Sequence, residues 1–312
     1  ALPISWPGSR MSNQAQSSVS WEDHTVIEKN KLEQFIFSLD TSSDSTIEII
    51  NYEIELDDHG VRKRSEFIHF LKNQTPNFIF SEPKREEIRE KGGWPYEKAR
   101  RKIGNISSKS DGFYSELLLF LIMEGFFDFP LVSHKMAVKE DYNTQVKGSD
   151  GLYIGTYDGT DVMGYGEAKF YQGKSGALTD AIDGVSDYHG ISGINEIEAE
   201  IDVARENISG DLDKSELKQI LNNTLTMTRS IPIIHPILIA YESGDYEKLK
   251  QHAKSREEAL ELIYEFHKRE KFMKSVKQRV ENNPELVGVQ ILVFFLRVGD
   301  TKKFKNDLEE II

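Results

Sequence analysis

The sequence predicts an α/β fold: a central mixed sheet flanked by helices, with an N-terminal α+β accessory region. Three observations support this prediction. An apolar helix precedes two strand-like segments joined by a hairpin turn, and another helix follows them. Two later β-branched, apolar runs, residues 231–241 and 287–297, are typical of interior strands. The resulting order is helix, three strands, helix, strand, helix, strand.

The composition limits the class of protein. With 312 residues, 38% of them hydrophobic, the chain can bury the core of one large domain or two modest ones. We expect a soluble, cytoplasmic protein, because no apolar run approaches the ~18 residues of a membrane span. The absence of cysteine excludes disulfides and thiolate zinc sites. We expect residues 1–10 to be an expression remnant, 11–110 the accessory, partner-binding region and 111–312 the catalytic domain.

The accessory region predicts short elements. Residues 11–44 are rich in Ser, Asn and Gln, with one amphipathic patch, and we expect their ends to fray. Residues 46–56 alternate like a strand, and 65–72 predict a short helix. Residues 82–102 predict helices on either side of Gly92-Gly93-Trp94-Pro95, where the chain turns.

The later elements complete the sheet and its helices. Residues 112–124 predict a helix that is apolar nearly all round and therefore buried. Strands are expected near 130–139, and a helix near 177–188. One long charged helix is predicted over 246–277 and a last one over 302–312.

Asp158-Gly159, between two segments of strand character, is the signal for a two-residue hairpin turn. Tyr157 then faces Thr160, and counting outward along both strands places Asp150 opposite Glu167. Facing Cβ atoms lie roughly 4.5 to 5.5 Å apart. Two carboxylates at that spacing can bind one hard divalent cation.

The alternation of side chains adds a cation to this face of the hairpin. Lys169 points to the same face as Glu167, and the residue opposite Lys169 is Gly148, which leaves room for a scissile phosphate. Small residues on the other face leave it nearly bare for something packed behind: Gly164, Gly166 and Ala168. A metal, carboxylates and an ammonium group together indicate phosphodiester hydrolysis.

The charge is unevenly distributed. The net charge of −13 argues against a protein that finds nucleic acid unaided. Residues 61–110 nevertheless carry 13 Lys and Arg against 6 Glu, and residues 178–220 carry 11 acidic residues against 3 basic ones. Two interpretations stay open: oriented contact with nucleic acid or a partner, and solvated helix faces.

An Asp on one strand and Glu-x-Lys on the next resemble the PD-(D/E)xK superfamily, which has the restriction-endonuclease-like fold. The resemblance implies that Asp150, Glu167 and the main-chain carbonyl of Ala168 bind Mg²⁺, with Mn²⁺ as a substitute. It implies that Lys169 positions or deprotonates the attacking water. Glu116 matches an acidic residue on the first core helix that helps bind or orient a metal. Ser149 replaces the usual proline.

Longer segments resemble the HamA family, the nuclease subunits of Hachiman anti-phage defence systems. These are Lys147-Gly-Ser-Asp150-Gly, Gly164-Tyr-Gly-Glu167-Ala-Lys169-Phe and the late strand from Gly288. The resemblance covers roughly residues 46–297. It implies a complex with a HamB-like helicase, which restrains the nuclease until aberrant DNA is sensed, and then broad DNA degradation.

Two alternatives use the same residues. Residues 168–175 match a relaxed P-loop pattern ending in Gly173-Lys174-Ser175, which would indicate an ATPase. That segment has only one glycine before the lysine, and neither later apolar strand ends in the Asp expected to hold Mg²⁺. The other alternative is a catalytically silent nuclease fold that only binds DNA or a partner.

Overall fold

The computed structural model describes residues 20–106, 112–134, 149–189, 201, 231–243, 249, 251–268 and 271–311. Its centre is a seven-stranded sheet in the order β1-β2-β7-β6-β5-β4-β3. The strands are β1 Ile36–Asp44, β2 Ile47–Ile54, β3 Leu131–Ser133, β4 Gly151–Tyr157, β5 Thr160–Tyr171, β6 Ile233–Tyr241 and β7 Gln290–Arg297.

The sheet is mixed. Strands β2, β7, β6 and β5 run parallel to one another. The outer strands are antiparallel: β1 pairs with β2, β4 pairs with β5, and β3 pairs with β4. The helices are α1 Lys29–Leu32, α2 Arg64–Ile79, α3 Glu82–Glu90, α4 Pro95–Ile106, α5 Gly112–Phe127, α6 Lys174–His189, α7 Arg256–Lys268, α8 Phe272–Glu281 and α9 Thr301–Ile311.

Helices cover both faces of the sheet. On one face, the apolar helix α5 packs with α2 and α9 over alternate residues of the strands, including Ala168 and Leu238. On the other face, α6 and α8 pack over the remaining residues, including Ile237 and Phe295. The predicted α/β class, with a restriction-endonuclease-like core of helices on a mixed sheet, is therefore confirmed.

The accessory region supplies β1 and β2, and β2 pairs directly with β7. These N-terminal strands therefore extend the sheet that carries the hairpin. The division of the chain at residues 110 and 111 stays a prediction. Strand β1 lies within residues 11–44, a polar stretch whose sequence predicts only one amphipathic patch.

Two helix predictions need correction. The helix expected over residues 246–277 is interrupted: residues 251–252 are helical, residues 253–255 are not, and α7 and α8 follow. Helix α8 starts after Lys271, whose φ of −106° is not helical. The helix expected over residues 65–72 extends to Ile79, with Pro76 inside it. No helix within the described ranges is long and apolar enough to cross a membrane.

Candidate active site

The register of the β4–β5 hairpin is the predicted one. Tyr157 faces Thr160, and the pairing runs down to Gly151 facing Gly166. Asp158 and Gly159 both have positive φ, 48° and 75°, as a type I′ turn requires. Asp150 is the next residue out from the last pair, and Glu167 is its counterpart on β5.

Asp150 is tied to β5 through its side chain. The main-chain N–H of Asp150 donates to the carbonyl of Gly166, and the N–H of Ala168 donates to Asp150 Oδ2, both at 2.9 Å. The carboxylate thus occupies the place that a β4 carbonyl would otherwise take. Because the N–H and C=O of one strand residue point to the same side, the Ala168 carbonyl faces the same edge as Asp150.

Glu167 and Lys169 lie side by side on the face covered by α6. Glu167 is buried, and the Lys169 ammonium donates to Glu167 Oε1. A Cβ added at Gly184 of α6 would lie 3.4 Å from Glu167 Oε1. The helix therefore passes close to Glu167: a single Cβ at position 184 would be in van der Waals contact with the carboxylate.

Electrostatics hold Lys169 in its charged form. Burial lowers the pKa of Lys169, but the charge and hydrogen bond of Glu167, with the charge of Asp150, outweigh burial and raise the pKa above its ordinary value. The same interactions show that both carboxylates act on this ammonium group. The structure thus brings together Asp150, Glu167 and Lys169.

The bare back of the hairpin receives α5. A Cβ added at Gly166 would lie 2.8 Å from Leu119 Cδ2 and 3.0 Å from the ring of Tyr153. One added at Gly164 would lie 3.3 Å from Tyr153 Cβ. The small residues on this face therefore let β5 and α5 approach closely, as the pattern indicated.

Glu116 belongs to α5, which packs on the other face of the sheet from α6. It is buried on α5, behind the sheet, whereas Glu167 points to the face covered by α6. Burial, followed by the charges of Glu124, Glu116 and Asp150, raises the pKa of Tyr153. The charges of Glu116 and Asp150 both act on Tyr153, and the metal role of Glu116 stays a prediction.

Sequence reasoning missed two residues that contact the site. Ser115 Oγ lies 3.3 Å from the carbonyl of Ala168, and it also contacts the carbonyl of Gly112 at 2.8 Å. Gly184 lies against Glu167, 17 positions away in the chain. Neither residue belongs to a local motif, because both are brought to the hairpin by helix packing.

The site contains oxygen donors suited to a hard cation. Asp150, Glu167 and the Ala168 carbonyl are the ligand types that Mg²⁺ prefers. Among the described residues, no group of three or more His, Asp or Glu side chains is arranged to hold a metal. Two carboxylates and a main-chain carbonyl nevertheless fit Mg²⁺ in kind, and water would complete the shell of a bound ion.

The P-loop alternative does not fit this geometry. Strand β5 continues through Tyr171, and α6 begins at Lys174, so only Gln172 and Gly173 lie between them. A phosphate loop needs several successive backbone amides to wrap the nucleotide. Residues 168–171 are instead engaged in pairing with β6.

Some sequence predictions fall outside the described residues. Gly148, expected opposite Lys169, is one of them, as are residues 135–139 of the predicted third strand. Most of the acidic stretch over residues 178–220 also lies outside; its described part is the end of α6 and Ile201.

Comparison with known proteins agrees with the motifs. A family model described as HamA matches residues 25–312, nearly the whole chain. No curated protein matches the sequence.

Proposed function

Because the chain belongs to the HamA family of Hachiman anti-phage defence proteins, we propose that it is a metal-dependent DNA nuclease that acts with a helicase. The observation that carries the proposal is the convergence of Asp150, Glu167 and Lys169 at one end of the hairpin. Acidic ligands beside an ammonium group are what hydrolysis of a phosphodiester needs.

Each residue has a proposed role. Asp150, Glu167 and the Ala168 carbonyl would hold Mg²⁺, or Mn²⁺ in its place. A bound divalent ion supplies Lewis acidity and lowers the pKa of its water. Lys169, held as a cation, positions the attacking water and offsets the negative charge that develops on the scissile phosphate.

Supporting contacts keep these groups in place. The N–H of Ala168 orients the Asp150 carboxylate, and α6 covers Glu167 without crowding it because position 184 is glycine. Glu116, on α5, is proposed to help bind or orient the metal. A silent binding module has no need of this arrangement of acids and ammonium.

The net charge of the chain and its family support a helicase partner. A chain of net charge −13 attracts DNA poorly by itself, so a HamB-like helicase would bring the DNA to it. We place the helicase contact on α4, whose Arg100 and Arg101 are exposed, because a regulatory contact must not depend on the site itself.

The charge reversals Arg100→Glu and Arg101→Glu should then abolish complex formation. If the complex survives while cleavage falls, these arginines serve the DNA instead.

The nuclease proposal is tested with linear and circular DNA, in Mg²⁺ or EDTA, with and without the helicase. Wild type should cleave only with Mg²⁺, while Glu167→Ala and Lys169→Ala should lose activity. Glu281→Ala and Lys274→Ala, exposed residues of the same chemistry on α8, are matched controls. Metal-independent DNA binding without cleavage in any arrangement would favour the binding module, and nucleotide hydrolysis by this chain alone would favour the ATPase.

A further inference from the structure

A small cationic cavity lies between the first turn of α6 and α8, away from the acids of the hairpin. Its volume is about 50 Å³. Three of its lining residues are cations and two are serines, and no described residue that lines it is acidic. The lining residues are Lys174, Ser175, Leu178, Lys271, Phe272, Ser275, Arg279 and Phe295.

Two of these cations contact rings or hydroxyls. Lys174 Nζ lies 4.5 Å from the ring centroid of Phe272 and 5.7 Å from that of Tyr241. Arg279 Nη2 donates to Ser175 Oγ at 2.7 Å, and its Nε donates to Thr179 Oγ1 at 2.9 Å. The two hydroxyls orient the Arg279 guanidinium without neutralising it, and no described lining residue is acidic, so the cavity has a positive potential.

The size of the cavity selects the ligand. One water in the liquid occupies about 30 Å³, so about 50 Å³ admits the oxygens of a single phosphate group. Pockets for whole small molecules begin near 300 Å³, so a nucleotide with its base and sugar does not fit inside. The exposed positions of Ser175 and Lys271 leave one side open to solvent. A phosphate that is part of a longer polymer can enter from that side.

The cavity lies on the same face of the sheet as the candidate active site. Lys169 pairs with Ile239, and Ile239 pairs with Phe295, which forms part of the cavity wall. Phe295 is thus two strands from Lys169, roughly 10 Å at about 4.8 Å per strand. Along one DNA strand, phosphates rise about 3.4 Å per nucleotide, so this separation corresponds to a few nucleotides.

We propose that the cavity formed by Lys174, Lys271 and Arg279 binds a DNA backbone phosphate a few nucleotides from the one being cleaved. The inference rests on the proposed nuclease function and assigns the substrate's path across the protein. It also gives a role to Gly173-Lys174-Ser175, the segment whose sequence matched a P-loop, since Lys174 and Ser175 contact phosphate here without enclosing a nucleotide.

The test measures DNA binding by the full chain in EDTA, where cleavage is blocked. The variants are Lys271→Gln, Lys174→Gln and, as a matched control, Lys274→Gln, an exposed lysine of α8 that does not line the cavity. Fluorescence anisotropy with a labelled duplex and its single strand gives the affinity at several salt concentrations. Loss of one phosphate contact should weaken binding about 3- to 10-fold at low salt and reduce the logarithmic salt slope by roughly 0.7 to 0.9. Lys274→Gln should match wild type.

Inorganic phosphate and ATP separate the sources of the phosphate. Each is added against chloride at equal ionic strength, and its effect on the melting temperature of each variant is recorded. We expect phosphate to stabilise wild type and Lys274→Gln but not Lys271→Gln or Lys174→Gln, and ATP to act no better than phosphate. DNA binding that is unchanged in both cavity variants overturns the proposal. If DNA binding is unchanged but stabilisation by phosphate or ATP is lost in Lys174→Gln and Lys271→Gln, the cavity binds a free ligand and not DNA.

The outcome is separable from that of the nuclease proposal. If wild type fails to cleave DNA but the cavity variants lose their phosphate contact, the nuclease function fails and the DNA contact stands. If wild type cleaves while Lys271→Gln and Lys174→Gln bind DNA as wild type does, the phosphate site alone fails. Because Lys271 is exposed, its variant is expected to fold, whereas Arg279 bridges two helices and is left unchanged.

Discussion

The main-chain N–H of Ala168 donates to the carboxylate of Asp150 at 2.9 Å. This bond joins the end of β4 to β5 at the point where the regular pairing has stopped, one residue beyond Gly151 and Gly166. It holds an acidic side chain beside the Ala168 carbonyl and across from Glu167. Strand pairing and this hydrogen bond therefore orient the Asp150 carboxylate, one of the proposed metal ligands.

Gly184 should control access to Glu167. Gly184→Ala should raise the free energy of unfolding by roughly 0.5 to 1 kcal/mol, because alanine favours helix and its Cβ would make an ordinary contact at 3.4 Å. Gly184→Val should reduce DNA cleavage because its branched side chain crowds the carboxylate. Chemical denaturation and initial cleavage rates measure the two effects.

Gly176→Ala and Gly176→Val are the matched controls on the same helix, since a Cβ at position 176 meets nothing within 4 Å. They should leave cleavage unchanged. Equal loss of cleavage from Gly176→Val and Gly184→Val would mean that the helix, and not the space around Glu167, is what matters.

The glycines of the hairpin should differ in their tolerance of alanine. A Cβ at Gly155 would lie 1.8 Å from the Phe129 ring, one at Gly166 2.8 Å from Leu119, and one at Gly164 3.3 Å from Tyr153. Overpacking typically costs about 1 to 3 kcal/mol. Gly155→Ala should therefore destabilise most and Gly164→Ala least, as measured by urea denaturation. Gly173→Ala, with open space around it, is the control, and a reversed order would contradict the packing described.

The hairpin could be predicted from sequence because its signals are local. Asp158-Gly159 specifies the turn, and the alternation of side chains then determines which residues face each other. The same alternation predicts that the small residues of β5 form one bare face on which another element packs. The pattern does not predict which residues pack on each face of the hairpin. Leu119 contacts one face and Gly184 the other, and both belong to helices that are distant in sequence.

Strand β1 was missed for a physical reason. It pairs only with β2 and lies at the edge of the sheet, where much of it is solvent-exposed, so its sequence can be polar. A register shift between Ser38 and Asp40 also interrupts the alternation that would have revealed it. The boundary between α7 and α8 was equally hidden, because both helices are charged and residues 256–281 contain no Pro or Gly to mark a break.

The buried ion pair between Glu53 and Arg62 should be important for stability. Arg62 donates to both carboxylate oxygens of Glu53, at 2.6 and 2.9 Å, and both side chains are almost fully buried. Glu53→Gln should cost about 3 to 5 kcal/mol, because it removes the carboxylate charge that faces the buried Arg62 guanidinium. Asp44→Asn, which breaks the exposed pair with Lys277, should have little effect. Equal midpoints for the two variants in urea would contradict this account.

His235 should make the protein less stable in acid. It is buried on β6, and burial, followed by the charge of His189, lowers its pKa to about 3. Its ring nitrogen lies 2.8 Å from that of His189, and Tyr165 and Tyr188 pack around it. The unfolded chain, with a histidine pKa near 6.5, binds the proton first as pH falls. Stability is therefore complete above about pH 6.5 and is lost between there and about pH 3, by up to about 1.4 kcal/mol per pH unit.

Removing this histidine should flatten the dependence on pH. His235→Gln should lower the proton uptake on unfolding near pH 5 by up to one proton, measured from denaturation midpoints across the pH range. An unaltered slope in His235→Gln would show that His235 is not held neutral in the folded protein.

The binding of Mn²⁺ tests the central claim most directly. Electron paramagnetic resonance measures the free Mn²⁺, and the bound Mn²⁺ is the difference from the total added. The sample contains an oligonucleotide and the Lys169→Ala protein, in which cleavage is slowed but the proposed ligands are kept. We predict a bound ion that is lost in Asp150→Asn and in Glu167→Gln and retained in Asp158→Asn, a change in the exposed turn. If Asp150→Asn and Glu167→Gln bind Mn²⁺ as the background protein does, these two carboxylates are not the metal ligands.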